Sequence, residues 1–141
     1  MKTKIRWATG SEISSLNLCG RMTWRVIALE IDEKAEAFLA LSMSCKDLPA
    51  FGWGEITDSA RATPKALHNF GIASLYVARS LGVSQLYLLA DKTVDKSDNW
   101  ARHLGFVRES NTAQGDFYKC NLRKLKTSQR YSSLLDRLLA A

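Results

Sequence analysis

ITDSARATPKALHNFGIASLYVARSLGVSQLYLLAD, residues 56–91, decides the fold. The segment opens on the end of a strand and a sharp turn. Thr63 stands where an N-cap is expected, and Pro64 follows at the first helical position, where its missing N–H costs little. Leu67, Phe70, Leu75, Val77 and Leu81 then recur near helical spacing, roughly on one face. Gly82 occupies the place of a left-handed C-cap. Leu86 to Ala90 is a short apolar run, the pattern of an interior strand covered on both faces. Strand, turn, helix and strand over this length make a crossover unit. In such sheets the turn after the first strand is a ligand site, because helix N–H groups and the positive end of the helix dipole point outward there.

The remainder of the chain sets bounds on what this unit can belong to. There are 141 residues, enough for one domain with its own core. Hydrophobic residues make up 46% and charged residues 24%, and no apolar run approaches the ~20 residues that cross a bilayer. Residues 1–10, MKTKIRWATG, carry basic charge without an apolar core, so no secretory signal is expected. Cys19, Cys45 and Cys120 are odd in number, far apart and outside any zinc spacing, which predicts a reducing cytosol, idle thiols and no metal site.

The net charge of +6 favours anionic partners. Much of the excess sits in the C-terminal stretch, where Lys119, Arg123, Lys124, Lys126, Arg130 and Arg137 face only Asp136. No zinc-finger or aromatic RNA-binding signature accompanies it, so nucleic-acid binding is a minor option.

Taken in order, Lys4–Ala8 is a strand candidate. Thr9 and Glu12 form a capping box for a short helix to about Leu18. Trp24–Asp32 and Ala37–Ser44 are strands joined by a polar Glu33–Glu36 turn. Lys46–Pro49 is a loop, and Phe51–Thr57 is a strand whose Gly52 and Gly54 suggest a bulge or a close approach by another backbone or ligand. After the crossover come a polar loop, Lys92–Asp98, a short helix, Asn99–Leu104, a strand, Val107–Glu109, a turn, Ser110–Gly115, and a last strand, Asp116–Leu122. A basic linker leads to a helix over Ser128–Ala141 with Tyr131, Leu134, Leu135, Leu138 and Leu139 in one apolar stripe. The reading is a single α/β (α+β) domain, 1–123, of order β-α-β-β-β-α-β-α-β, with an appendage, 124–141. Hairpins and one crossover make the sheet mixed and largely antiparallel.

Over about residues 3–122 this pattern resembles the GNAT superfamily of acetyl-CoA-dependent N-acetyltransferases. The family's cofactor motif, V-x-x-x-x-[QR]-x-x-G-x-[GA], closes the fourth strand and opens the long helix. Ile56 takes its Val place, Arg61 its Gln/Arg place, Pro64 its first Gly place and Ala66 its last. A later family motif, a short helix ending in Gly-Phe, matches Asn99–Phe106. The resemblance implies acetyl-CoA as cofactor, held by Ile56, Thr57, Arg61, Ala62, Thr63, Lys65 and Ala66, with Trp100 from the later helix. It implies transfer of an acetyl group to an amine of a small molecule or protein.

The residues supply part of the chemistry such a reaction needs. Pyrophosphate calls for converging N–H donors and positive charge, and the Arg61–Ala66 turn offers a helix N-terminus with Arg61 and Lys65. Pro64 removes one donor. The acceptor amine must lose a proton and the leaving thiolate must gain one. Glu55 is the candidate base, and Tyr118 is the candidate acid. A backbone N–H near Ile56–Asp58 is expected to polarise the thioester carbonyl. The Tyr that serves many relatives as acid is replaced by Ala101, and an Asn that often contacts CoA by Val94. His103 and His68 read as surface residues. The segment between the first two strands is also short, where the family usually builds its acceptor site.

Those departures support an alternative: a catalytically reduced protein of this fold, for example phage-encoded, that acts as a binding or structural component. The C-terminal stripe bears on it. The stripe could cover the chain's own sheet, or it could dock a second copy or a protein partner through Tyr131–Leu139. A membrane-surface helix is disfavoured by its composition.

Overall fold

The computed structural model describes residues 1–18, 20, 23–43, 50–90, 101–112, 115–126 and 128–140. Cys19, Cys45, Val94, Trp100 and the expected loops Lys46–Pro49 and Lys92–Asp98 lie outside these residues. The elements are β1 (Thr3–Trp7), α1 (Gly10–Ser15), β2 (Trp24–Ile31), β3 (Lys34–Ser42), β4 (Ala50–Ile56), α2 (Asp58–Arg61), α3 (Pro64–Ser80), β5 (Gln85–Ala90), β6 (Val107–Thr112) and β7 (Gly115–Asn121). A C-terminal helix, Ser132–Leu139, follows two 3-10 turns. One sheet holds the seven strands in the order β1-β2-β3-β4-β5-β7-β6. Its pairs are antiparallel except β4–β5, which the crossover through α3 makes parallel.

Local signals explain most of the element ends. At α1, Thr9 accepts from the Glu12 N–H while Glu12 accepts from the Thr9 N–H, the two halves of a capping box. Gly82 ends α3 at φ +96°, with the Val83 N–H on the Ala78 carbonyl and the Gly82 N–H on the Arg79 carbonyl. That is a Schellman motif, and only Gly adopts its left-handed residue without strain. The same pattern recurs at Gly105, where Phe106 N–H reaches the Ala101 carbonyl.

Four expectations need correction. The β2–β3 link is a two-residue turn, Asp32-Glu33, both at positive φ, with Ile31 opposite Lys34. Strand twist selects this turn even without Gly or Asn, and a bulge after Leu29 absorbs the register. The chain between β4 and α3 is a helical turn, α2, capped by the Thr57 hydroxyl on the Ala60 N–H. Thr63 does not cap α3, because its hydroxyl donates instead to the Ser59 carbonyl of α2 at 3.1 Å. Finally, β6 runs to Thr112 and forms a hairpin with β7, longer than the Val107–Glu109 strand expected.

The core lies on one face of the sheet. There α3 inserts Leu67, Phe70, Leu75 and Val77 against Ile27, Leu29, Leu39 and Leu41 of the β2–β3 hairpin. Each such side chain contributes roughly 1.5–3 kcal/mol on burial. Ala101, Leu104 and Phe106 extend this core over Leu86, Tyr118 and Cys120. On the opposite face α1 brings Leu16 onto Val26 and Ala40.

The C-terminal stripe belongs to the main face. Leu138 is buried, Leu134 and Leu135 pack against the core, and Tyr131 stacks on Tyr76 at 5.2 Å. Trp7 Nε1 donates to the Leu138 carbonyl at 2.8 Å, and Arg137 donates to the Ile5 carbonyl at 2.6 Å. Of the two roles expected for the stripe, the structure shows the first: Tyr131, Leu134, Leu135 and Leu138 cover the chain's own fold, while Leu139 stays exposed. An apolar stripe tethered beside an open sheet edge and α3 meets them at far higher effective concentration than any other molecule.

Candidate functional site

The site is a notch where β4 and β5 part. Their ladder holds Ala50 with Leu86, Phe51 with Tyr87 and Gly52 with Leu88, and ends there. β4 continues to Ile56 and β5 to Ala90 without further pairing. Gly52 keeps the last rung uncrowded, since a Cβ there would come within 2.6 Å of Leu88 Cδ2 and Leu88 would have to rotate away.

Two hydrogen bonds fix which way the backbone of β4 points. Phe51 N–H donates to Ser42 Oγ at 2.8 Å, and Thr57 N–H donates to the Glu36 carbonyl at 3.0 Å, both toward β3. Alternate residues of a strand direct their backbone groups to opposite sides. Gly54 and Ile56 therefore turn their N–H and carbonyl groups into the notch, and Gly54 brings no side chain with them. Sequence reasoning expected a polarising N–H near Ile56–Asp58; the strand's orientation adds Gly54 to the N–H groups that face the notch.

At the mouth of the notch the chain turns through α2 into α3. Thr57 holds this corner: it caps α2, and its hydroxyl donates to the buried Glu36 carboxylate. No sequence signal marked Glu36. Arg61 ends α2 in solvent, 3.4 Å from Asp58. Ala62 and Lys65 are exposed, and Thr63 and Ala66 are half-buried. Thr63 being engaged with α2, the first turn of α3 has no side-chain cap, and the N–H groups of Lys65 and Ala66 are among the unpaired donors every helix start carries. Ile56 packs against the core at the end of β4. The structure thus gathers Ile56, Thr57, Arg61, Ala62, Thr63, Lys65 and Ala66 into one corner beside the notch. Trp100 lies outside the described residues.

The two catalytic candidates stand on opposite faces. Glu55 pairs with Phe38 and is exposed on the face away from α3. Tyr118 pairs with Leu88, is fully buried on the α3 face, and shares its cluster with Ala101. A separate groove of about 520 Å³, lined by residues including Leu104, Val107, Arg108, Lys119 and Lys124, lies at the other end of the sheet. Asn121, on its wall, pairs with Gln85 at the start of β5, far from the notch. Among the described residues no group of three His, Cys, Asp or Glu side chains is placed to hold a metal ion. No described helix is long and apolar enough to cross a membrane.

The chain has the fold of the GNAT superfamily of N-acetyltransferases. The ribosomal-protein-S18-alanine N-acetyltransferase of Escherichia coli matches it with a TM-score of 0.67 at 11% identity, over 91% of this chain and 98% of that one. The PaiA N-acetyltransferase of Thermoplasma acidophilum, solved in complex with coenzyme A, matches with a TM-score of 0.69 at 8% identity, over 86% and 99%. The spermidine/spermine N-acetyltransferase SpeG of Vibrio cholerae matches at 0.68 and 12%, over 87% and 96%. No family model and no curated sequence matches the chain.

Proposed function

We propose that this protein transfers an acetyl group from acetyl-CoA to an amine. The observation that carries the reading is the notch, where the β4–β5 ladder ends at Gly52 and Leu88. The α2–α3 corner flanks it on one face and Glu55 stands on the other, with the Gly54 and Ile56 N–H groups between them.

The residues fit the cofactor. Uncapped donors at the start of α3, with Arg61 and Lys65, suit a pyrophosphate, although Pro64 takes one donor away. The bare backbone edge of β4 at Gly54 suits an amide-bearing arm laid along it as an extra strand. When bound, acetyl-CoA supplies an activated thioester. Gly54 or Ile56 donates its N–H to the acyl carbonyl oxygen and polarises it. Glu55 removes the proton from the attacking amine. Tyr118, beside the last rung and in the cluster of Ala101, returns a proton at the thiolate sulfur. The buried, free Cys120 suits the reducing cytosol in which this reading places the chain.

Calorimetric titration of acetyl-CoA, with Arg61→Glu as comparison, tests the cofactor. Micromolar binding that the substitution weakens supports the reading, and no binding at millimolar ligand overturns it.

A second reading keeps the cofactor and drops the transfer. Ala101 lies buried where the family's acid is expected, and the Tyr118 ring is fully enclosed. Acetyl-CoA binding without thiol release on any amine, in an acceptor screen, would select this binding-component reading.

A further inference from the structure

Residues 59–90, which include α3, and residues 117–135, which run from β7 into the C-terminal helix, contain eight Lys and Arg and no Asp or Glu. The other 12 Lys and Arg are set against all 14 Asp and Glu, so the excess of +6 comes entirely from these two stretches. The fold lays one stretch on the other. From Lys65, the positions Asn69, Ile72, Tyr76 and Arg79 follow at steps of four and three, a single stripe along α3. Arg79 donates to the Leu125 carbonyl at 2.6 Å, the Tyr76 hydroxyl to the Lys126 carbonyl, and Arg130 to Asn69 Oδ1 at 3.2 Å. Tyr131 is stacked on Tyr76 and shares a cluster with Ile72 and Leu125. These contacts pin the linker along the stripe. Lys65, Arg123, Lys124, Lys126 and Arg130 are all exposed, and none is in an ion pair among the described residues. From Lys65 to Arg79 the strip runs fourteen residues of α3, about 21 Å.

We infer that this strip binds the phosphate backbone of a duplex nucleic acid without reading its sequence. The inference stands apart from the acyl-transfer reading. Its cations alternate with hydroxyl and amide groups, Asn69, Ser128, Gln129 and Ser132, and no carboxylate interrupts them. Those are the side chains that contact phosphates. An acidic protein would call for an apolar centre, and none of the large exposed apolar side chains among the described residues lies in the strip. A single strand would call for open rings on which bases stack, but Tyr76 and Tyr131 are buried against each other. About 21 Å matches roughly six base pairs at 3.4 Å each. α3 lies beneath the linker, so the strip offers no free helix to a groove and reads no base edges. Sequence alone left nucleic acid a minor option because no motif accompanies the charge. Packing of the linker on α3 is what collects it.

Fluorescence anisotropy with labelled DNA duplexes of about 16 base pairs tests this over a range of salt concentrations. Five phosphate contacts give log Kobs a slope near −4.5 against log salt, so a rise from about 50 to about 200 mM should weaken binding about 500-fold. Two duplexes of unrelated sequence should bind within about threefold of each other. Lys126→Gln and Arg130→Gln should each make the slope shallower by about one. Arg130→Lys should restore it, and Lys4→Gln, an exposed change on β1, should leave it unaltered. An RNA duplex in place of DNA distinguishes the two sources of the same phosphate chemistry, and the tighter of them names the natural partner.

A slope shallower than about −2, or one that Lys126→Gln and Arg130→Gln leave unchanged, overturns the inference. So does tighter binding of an oligothymidine than of the duplex, which would make the site one for single strands. Tighter binding of a labelled Glu-rich peptide of equal charge overturns it too, because that assigns the strip to an acidic protein.

Discussion

Gly52 and Leu88 meet across the last rung of the β4–β5 ladder, and a Cβ on Gly52 would lie 2.6 Å from Leu88 Cδ2. The contact is with the end of a flexible side chain, so Gly52→Ala can be accommodated by rotating Leu88. Gly52→Val adds two more carbons to the same space and should cost about 1–3 kcal/mol. Gly54, two residues on, meets only the Phe38 carbonyl at 3.7 Å, and Gly54→Ala should stay within about 0.5 kcal/mol of the parent. Urea denaturation of the three variants checks the order. Equal losses for Gly52→Val and Gly54→Ala would contradict the packing described at the notch.

Acid should loosen the β1–α1 corner. The Arg6 guanidinium, hydrogen-bonded to Glu12 at 2.7 and 3.0 Å, holds the Glu12 carboxyl down at about 2, against a usual 4.5. A carboxyl lowered on folding stabilises the protein above its unfolded pKa, and that contribution fades as pH falls from about 4.5 to about 2. Glu12→Gln should therefore destabilise the protein at pH 7 and match the parent near pH 2. Stability measured by denaturant at several pH values would show the two curves converging. Parallel curves would mean that the ion pair contributes nothing to folding.

The C-terminal helix should behave as core. Leu138→Ala should cost roughly 2–4 kcal/mol, as for other buried Leu side chains. Trp7→Phe, which loses the hydrogen bond to the Leu138 carbonyl, should cost about 0.5–1.5 kcal/mol. Neither change should alter the sedimentation coefficient. A shift in oligomeric state with unchanged stability would restore the partner-docking role.

At the notch, Arg61→Glu should weaken acetyl-CoA binding roughly 10- to 100-fold, the loss of one charge-assisted hydrogen bond of ~1.5–3 kcal/mol. Glu55→Gln should lower kcat with cofactor affinity unchanged. Tyr118→Phe should lower kcat as well. A Tyr118→Phe variant that loses only stability would make Tyr118 a core residue and nothing more.

Free thiol chemistry gives an independent check on the sheet. Cys120 is buried on the α3 face of β7, and burial pushes its thiol above the ordinary value. Its alkylation in the native protein should be far slower than in urea. Rapid native labelling at Cys120 would mean that the β7 end of the core opens readily.

What the sequence determined is what depends on near neighbours. The Thr9–Glu12 capping box, Pro64 at the start of α3, the Gly82 and Gly105 stops and the apolar period of α3 are set within a few residues, where sterics and hydrogen-bond reach decide. They were enough to place a β-α-β crossover inside a mixed sheet and to point at the Arg61–Ala66 segment. Tertiary structure decided whatever depends on pairing between distant strands. Only the register ends the β4–β5 ladder at Gly52 and turns Gly54 and Ile56 into the notch. Only the sheet sets Glu55 and Tyr118 on opposite faces and joins Phe51, Tyr87, Lys119 and Val107 in one row. The C-terminal stripe shows the same division. Its spacing specified an amphipathic helix, but which surface buries it was decided by where β1 and α3 stand, because burial of an apolar face is non-directional and goes to the nearest surface that removes it from water.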